Sequence, residues 1–82
     1  MRCARIDTKT GMLSGYYLLG YDDRSPEWIA EANLIFRSMG SSDRIISQDE
    51  LESIIRNTGK KSRTQFIHAL KQWRNQIDNQ TK

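Results

Sequence analysis

Residues 46–73 read ISQDELESIIRNTGKKSRTQFIHALKQW, and this stretch decides the helical half of the fold. Ser47 and Glu50 form a capping box, S-x-x-E, with Ile46 and Leu51 placed as its hydrophobic staple. Leu51, Ile54 and Ile55 then fall at helical spacing, which predicts a helix over about 48–57 that Asn57-Thr58-Gly59 ends. A second box, S-x-x-Q at Ser62 and Gln65, opens a helix from about 63 to 77. Its apolar stripe is Phe66, Ala69, Leu70, Trp73 and Ile77, and the remaining NQTK is expected to fray.

Moving towards the N-terminus, SSDR is a short polar link, and Ile45-Ile46 is expected to form a brief extended segment. Upstream, Ser25 is a good N-cap and Pro26 suits the first helical position. Trp28, Ile29, Ala32, Ile35, Phe36 and Met39 recur at spacings of three and four. That pattern predicts one apolar face on a helix over about 26–39, stopped by Gly40, and makes this helix the expected core element. Residues 2–7 and 12–20 flank DTKTGM, where Asp7 can accept from the backbone ahead of it and Gly11 can take positive φ. The second arm, MLSGYYLLG, reads as a strand with Gly15 as a bulge, and YDDRSP breaks it. The expected fold class is α+β, an N-terminal β-hairpin (2–20) packed on three helices (26–78). The whole is read as a single small domain, 1–82. An isolated hairpin is marginal in water, so its apolar face must pack on the helices.

Composition removes several function classes. Eighty-two residues support only a thin core, yet seven aromatics argue against a disordered chain. No apolar run approaches the roughly 18 residues needed to cross a bilayer. MRCARIDTKTG has basic residues but no apolar stretch behind them, so no signal peptide is read and a cytoplasmic location is expected. Cys3 is the one cysteine and His68 the one histidine, which provides neither a disulfide nor a zinc set. Cys3 is read as a buried or half-buried strand residue. Residues 36–51, FRSMGSSDRIISQDEL, resemble an EF-hand in outline. Met39 and Ser41 stand where carboxylates are usual and Arg44 replaces the loop glycine, so calcium binding is rejected. Neither metal nor cofactor is expected.

Catalysis is equally poorly supplied. His68 has no carboxylate or nucleophile at a catalytic spacing, and it falls opposite the apolar stripe of its helix, so it is expected to be exposed. The acidic residues sit at helix starts, where they complement the dipole. Gly11, Gly15 and Gly20 lack the spacing of a phosphate loop. The chain is read as a non-enzyme.

Charge is distributed unevenly. Residues 1–55 carry six Lys/Arg against nine Asp/Glu, a sum of −3, whereas residues 56–82 carry seven against Asp78 alone, a sum of +6. A positive end attracts polyanions. The 46–73 segment also resembles a helix-turn-helix: a short helix, a Gly-containing turn and a longer helix with a basic start. Aligning Gly59 with the turn glycine of that motif leaves Gln65 and His68 where apolar residues are usual, and a turn one residue longer restores the fit. The resemblance implies that the start of the second helix enters a DNA groove. The nucleic-acid-binding candidates are Lys60, Lys61, Arg63, Thr64, Gln65, His68, Lys71 and Asn75. Lys and Arg suit phosphates, and Arg, Gln and Asn can read base edges.

Two functions follow. The first is a small nucleic-acid-binding or transcription-regulating domain acting on duplex DNA. The second is a protein-interaction module, an inhibitor or adaptor of the kind carried by mobile elements. It would dock its acidic N-terminal half or its hairpin on a protein of a nucleic-acid machine, with Tyr16, Tyr17 and Tyr21 as contacts. Leu34 lies off its helix's apolar stripe and is read as a contact for a homodimer.

Overall fold

The computed structural model describes residues 1–13, 22–59 and 62–80. The chain runs β1 (Arg2–Asp7), β2 (Met12–Leu13), β3 (Asp22–Asp23), α1 (Pro26–Ser38), β4 (Asp43–Ser47), α2 (Gln48–Thr58) and α3 (Arg63–Gln80). Among the described residues all strand pairs are antiparallel and all involve β1. β4 lies along one edge of β1 from Cys3 to Asp7. A strand has two edges, so β2 and β3 share the other: Ile6 faces Leu13 near one end, and Arg2 faces Asp23 near the other. The expected α+β class, with a hairpin and three helices, is what the structure has.

Alternation along β1 divides the sheet into two faces. Ala4 and Ile6 share a face with Ile46 and Leu13 opposite them. There Ile6, Ile46, Leu51 and Leu70 form the buried core, with Leu13, Ile54, Phe66 and Trp73 packed around it. The core therefore lies between the sheet and the α2–α3 pair. Ile46 and Leu51 meet in it, as the staple requires. Cys3, Arg5 and Asp7 point the other way, and Cys3 is buried as expected. On this side the Arg5 guanidinium holds Asp43 at 2.5 Å and stands 4.8 Å above the Phe36 ring of α1.

Local chemistry explains each helix start. Ser25 Oγ accepts from the Trp28 N–H, Ser47 Oγ from Glu50 and Ser62 Oγ from Gln65, three residues on in each case. In the Ser47–Glu50 box the Glu50 carboxylate turns away from the cap and accepts the Trp73 indole N–H, tying α2 to α3. The β1–β2 turn also forms as read. Asp7 Oδ1 accepts the Lys9 N–H at 2.9 Å, and Gly11 takes φ +73° while donating to Asp7 O at 2.8 Å.

Three expectations need correction. The apolar face of α1 is not the core: its one buried residue is Asn33, Ile29, Ala32 and Phe36 are half-buried, and Trp28, Ile35 and Met39 are 40%, 53% and 71% exposed. The cause is the outer edge of β4. Asn33 Nδ2 donates to Ile45 O at 3.0 Å and its Oδ1 accepts from Ile45 N at 2.6 Å, so the amide occupies the edge strand's unpaired backbone groups. Matching those groups turns Asn33 inward and leaves the 28/35/39 stripe outside. Second, Asp22–Asp23, read as a strand break, forms β3, where the N-terminal ammonium holds Asp23 at 2.5 Å. Third, α3 runs to Gln80 because its end is anchored: Asp78 pairs with Arg44, and its carbonyl accepts from Arg37 at 2.6 Å. Gly15, the three tyrosines and the strand reading over 14–20 lie outside the described residues.

Candidate nucleic-acid interface

α3 places its side chains on two faces. Phe66, Leu70, Trp73 and Ile77 turn towards the core, with Leu70 fully buried. Thr64, Gln65, His68, Lys71, Gln72, Asn75 and Gln76 are exposed at spacings of three and four, so they line one outward surface. His68 is exposed as expected, and its Nε2 lies 3.2 Å from the Gln72 amide.

Five of the eight candidates therefore share this face: Thr64, Gln65, His68, Lys71 and Asn75. Arg63 sits at its edge, exposed, with Nη2 donating to Thr10 O at 2.5 Å. Lys60 and Lys61, which precede α3, lie outside the described residues. Gln72 and Gln76 belong to the same surface although the candidate set omits them; their spacing from His68 and Asn75 was the available signal. Lys9 and Arg74 were also missed as site residues. Arg74 is half-buried and donates from Nη1 to Thr8 Oγ1 at 2.8 Å, so it faces the β1–β2 turn. That proximity spans 66 residues and left no local trace.

The electrostatics follow from this layout. Asp78 is the one carboxylate of α3, and Arg44 neutralises it at 2.9 Å from beneath the helix. The outward face of α3 carries no carboxylate. Its two borders differ in sign. On the turn side stand Lys9, Arg63 and Arg74, none of them in an ion pair among the described residues. On the α2 side Glu50 lines a groove with Gln72 and Gln76. Asp7 lies at the base of the turn, and its carboxyl is held below the usual carboxylate range by the Ser42 hydroxyl and the Lys9 N–H. Among the described residues there is no group of three or more His, Cys, Asp or Glu that could hold a metal ion. No described helix is long and apolar enough to cross a membrane.

Comparison with protein-family models, with curated proteins and with solved structures found no match for this chain.

Proposed function

We propose that this protein is a non-enzymatic nucleic-acid-binding domain of regulatory type, which presents the outward face of α3 to duplex DNA. One observation carries the reading: an exposed helical surface of amide, hydroxyl, imidazole and ammonium groups, without a carboxylate, bordered on its turn side by cations that have no ion pair among the described residues. Such a surface has little to recommend it for packing, because an apolar partner would desolvate it without gain. It suits a groove whose base edges are donors and acceptors and whose walls are phosphates. Gln65 and Asn75 supply the bidentate amides, His68 a further polar contact, and Lys71 with Arg63 the phosphate contacts. The N-terminus of α3 adds its dipole to the same end.

The test is binding to duplex DNA over a salt series. Phosphate contacts release counterions, so log K should fall linearly with log salt. An Arg63→Ala/Lys71→Ala double variant should lower the slope by about 1.8 if both side chains meet phosphates. Affinity independent of salt refutes the proposal.

One observation favours the second reading, a protein-interaction module. α1 exposes Trp28, Leu34, Ile35 and Met39, and aromatic and Met side chains are enriched at interfaces. Recovery of a stoichiometric protein from lysate after nuclease treatment would favour it over DNA binding. Light scattering over a concentration series separates a heterologous partner from a second copy of the chain.

A further inference from the structure

The β1–β2 turn and α3 meet in a way the proposed function uses only through Arg63. Arg63 and Arg74 stand eleven residues apart on α3, which is about 16 Å of helix at 1.5 Å per residue. Both side chains nevertheless reach the same turn. Arg63 reaches Thr10 O and Arg74 reaches Thr8 Oγ1, the residues on either side of Lys9. Thr8 and Thr10 are two residues apart, so their Cα atoms lie within about 7 Å of each other.

We propose that this turn, Thr8–Gly11, is a second phosphodiester-binding element, in which Lys9, Arg63 and Arg74 hold adjoining backbone phosphates of the nucleic acid bound to α3. The inference rests on the reading of α3 given above and names the part of the interface that fixes register. Three observations support it. The turn is rigid where it must be: Thr8 is fully buried, its N–H and Oγ1 both donating to Ser42 O at 3.1 and 2.6 Å. The turn also packs closely on α3, since an added Cβ at Gly11 would stand 3.1 Å from the Phe66 ring and 3.5 Å from Ile67. Finally, each guanidinium uses one N–H on the turn and keeps four donors. Arg74 is half-buried, and its positive charge without a carboxylate partner is costly, a cost that a phosphate oxygen offsets. The nearby carboxylate, Asp7, already accepts from Ser42 Oγ and the Lys9 N–H through Oδ1.

Lys9 is exposed, so Lys9→Gln leaves the fold in place and is the primary variant. Duplex affinity should fall and the log K–log salt slope should drop by about 0.9, with sequence preference unchanged. A Gln65→Ala/Asn75→Ala variant should instead weaken binding and relax sequence preference at an unchanged slope. Sodium tripolyphosphate is the second probe, read from the amide resonances of Lys9, Thr10 and Gly11, which should shift with the added anion. If DNA binds but Lys9→Gln keeps the wild-type slope and the turn amides stay still, this inference is overturned while the α3 reading stands. If tripolyphosphate shifts those amides while duplex DNA fails to bind at low salt, the α3 reading is overturned, and the turn's role in nucleic-acid binding goes with it.

Discussion

Replacing Asp78 with alanine should reveal how the sheet is joined to α3. Arg44 lies on the core face of β4 with its side chain 4% exposed, and Asp78 is 19% exposed. Nε and Nη2 of the arginine donate to the two carboxylate oxygens at 3.1 and 2.9 Å, a bidentate pair. Nη1 donates to the Ser41 and Asp43 carbonyls at 2.7 and 2.6 Å. Removing one partner of a buried pair costs about 3–5 kcal/mol, because the remaining charge is left in a poor solvent. Two carbonyls still hold Nη1 here, and the exposed side of Asp78 admits water, so the lower end, about 3 kcal/mol, applies. At about 4–8 °C per kcal/mol for a domain of this size, Asp78→Ala should lower Tm by about 12–24 °C. Circular dichroism at 222 nm against temperature and urea measures both quantities. Asp78→Asn retains an acceptor and should lose about half as much. An Arg44→Met/Asp78→Ala pair should regain most of the loss, since an apolar pair leaves no buried charge. A loss under about 0.5 kcal/mol for Asp78→Ala would show that the junction is wet, and the argument would fail.

Gly11 and Gly40 both have φ +73°, but a Cβ at Gly40 meets nothing within 4 Å. Gly11→Ala should therefore cost more than the about 1–2 kcal/mol of left-handed strain expected of Gly40→Ala; equal losses in urea unfolding would exclude the close packing of the turn on α3. Asn33→Ala leaves the Ile45 N–H and C=O unmatched at the β4 edge and should cost about 2–4 kcal/mol, with faster aggregation on heating measured by light scattering. Asp7 has a lowered carboxyl pKa, so its contribution is complete above the ordinary value of about 3.9 and is lost as pH falls through the depressed one. Acid titration of stability should accordingly be shallower in Asp7→Asn than in wild type below about pH 4; matching acid limbs would remove Asp7 from the account.

Much of the fold was legible because it is coded locally. Three serine caps, one proline and the apolar stripes of α2 and α3 are short-range signals, and each element starts where its cap lies. The turn at Asp7–Gly11 is of the same kind. α1 misled for a definite reason. Its stripe of Trp28, Ile29, Ala32, Ile35, Phe36 and Met39 has good helical period, but periodicity registers apolar area and cannot weigh an amide that satisfies a strand edge twelve residues away. β3 was hidden because aspartates are poor strand residues, and its pairing with Arg2 and Cys3 spans about twenty positions. The outward face of α3 was readable from its wheel, including the exposure of His68. The approach of Arg63 and Arg74 to the turn that carries Lys9 was not, since it depends on where the hairpin lands.

The bond between the Trp73 indole and the Glu50 carboxylate gives the domain a built-in optical reporter at the α2–α3 joint. The chain has two tryptophans, and the other, Trp28, lies on α1 beneath the Arg24 guanidinium. In a Trp28→Phe background all indole emission comes from that joint. Any ligand, proton or partner that changes how the two helices meet would then register as a colour shift, without a label being attached.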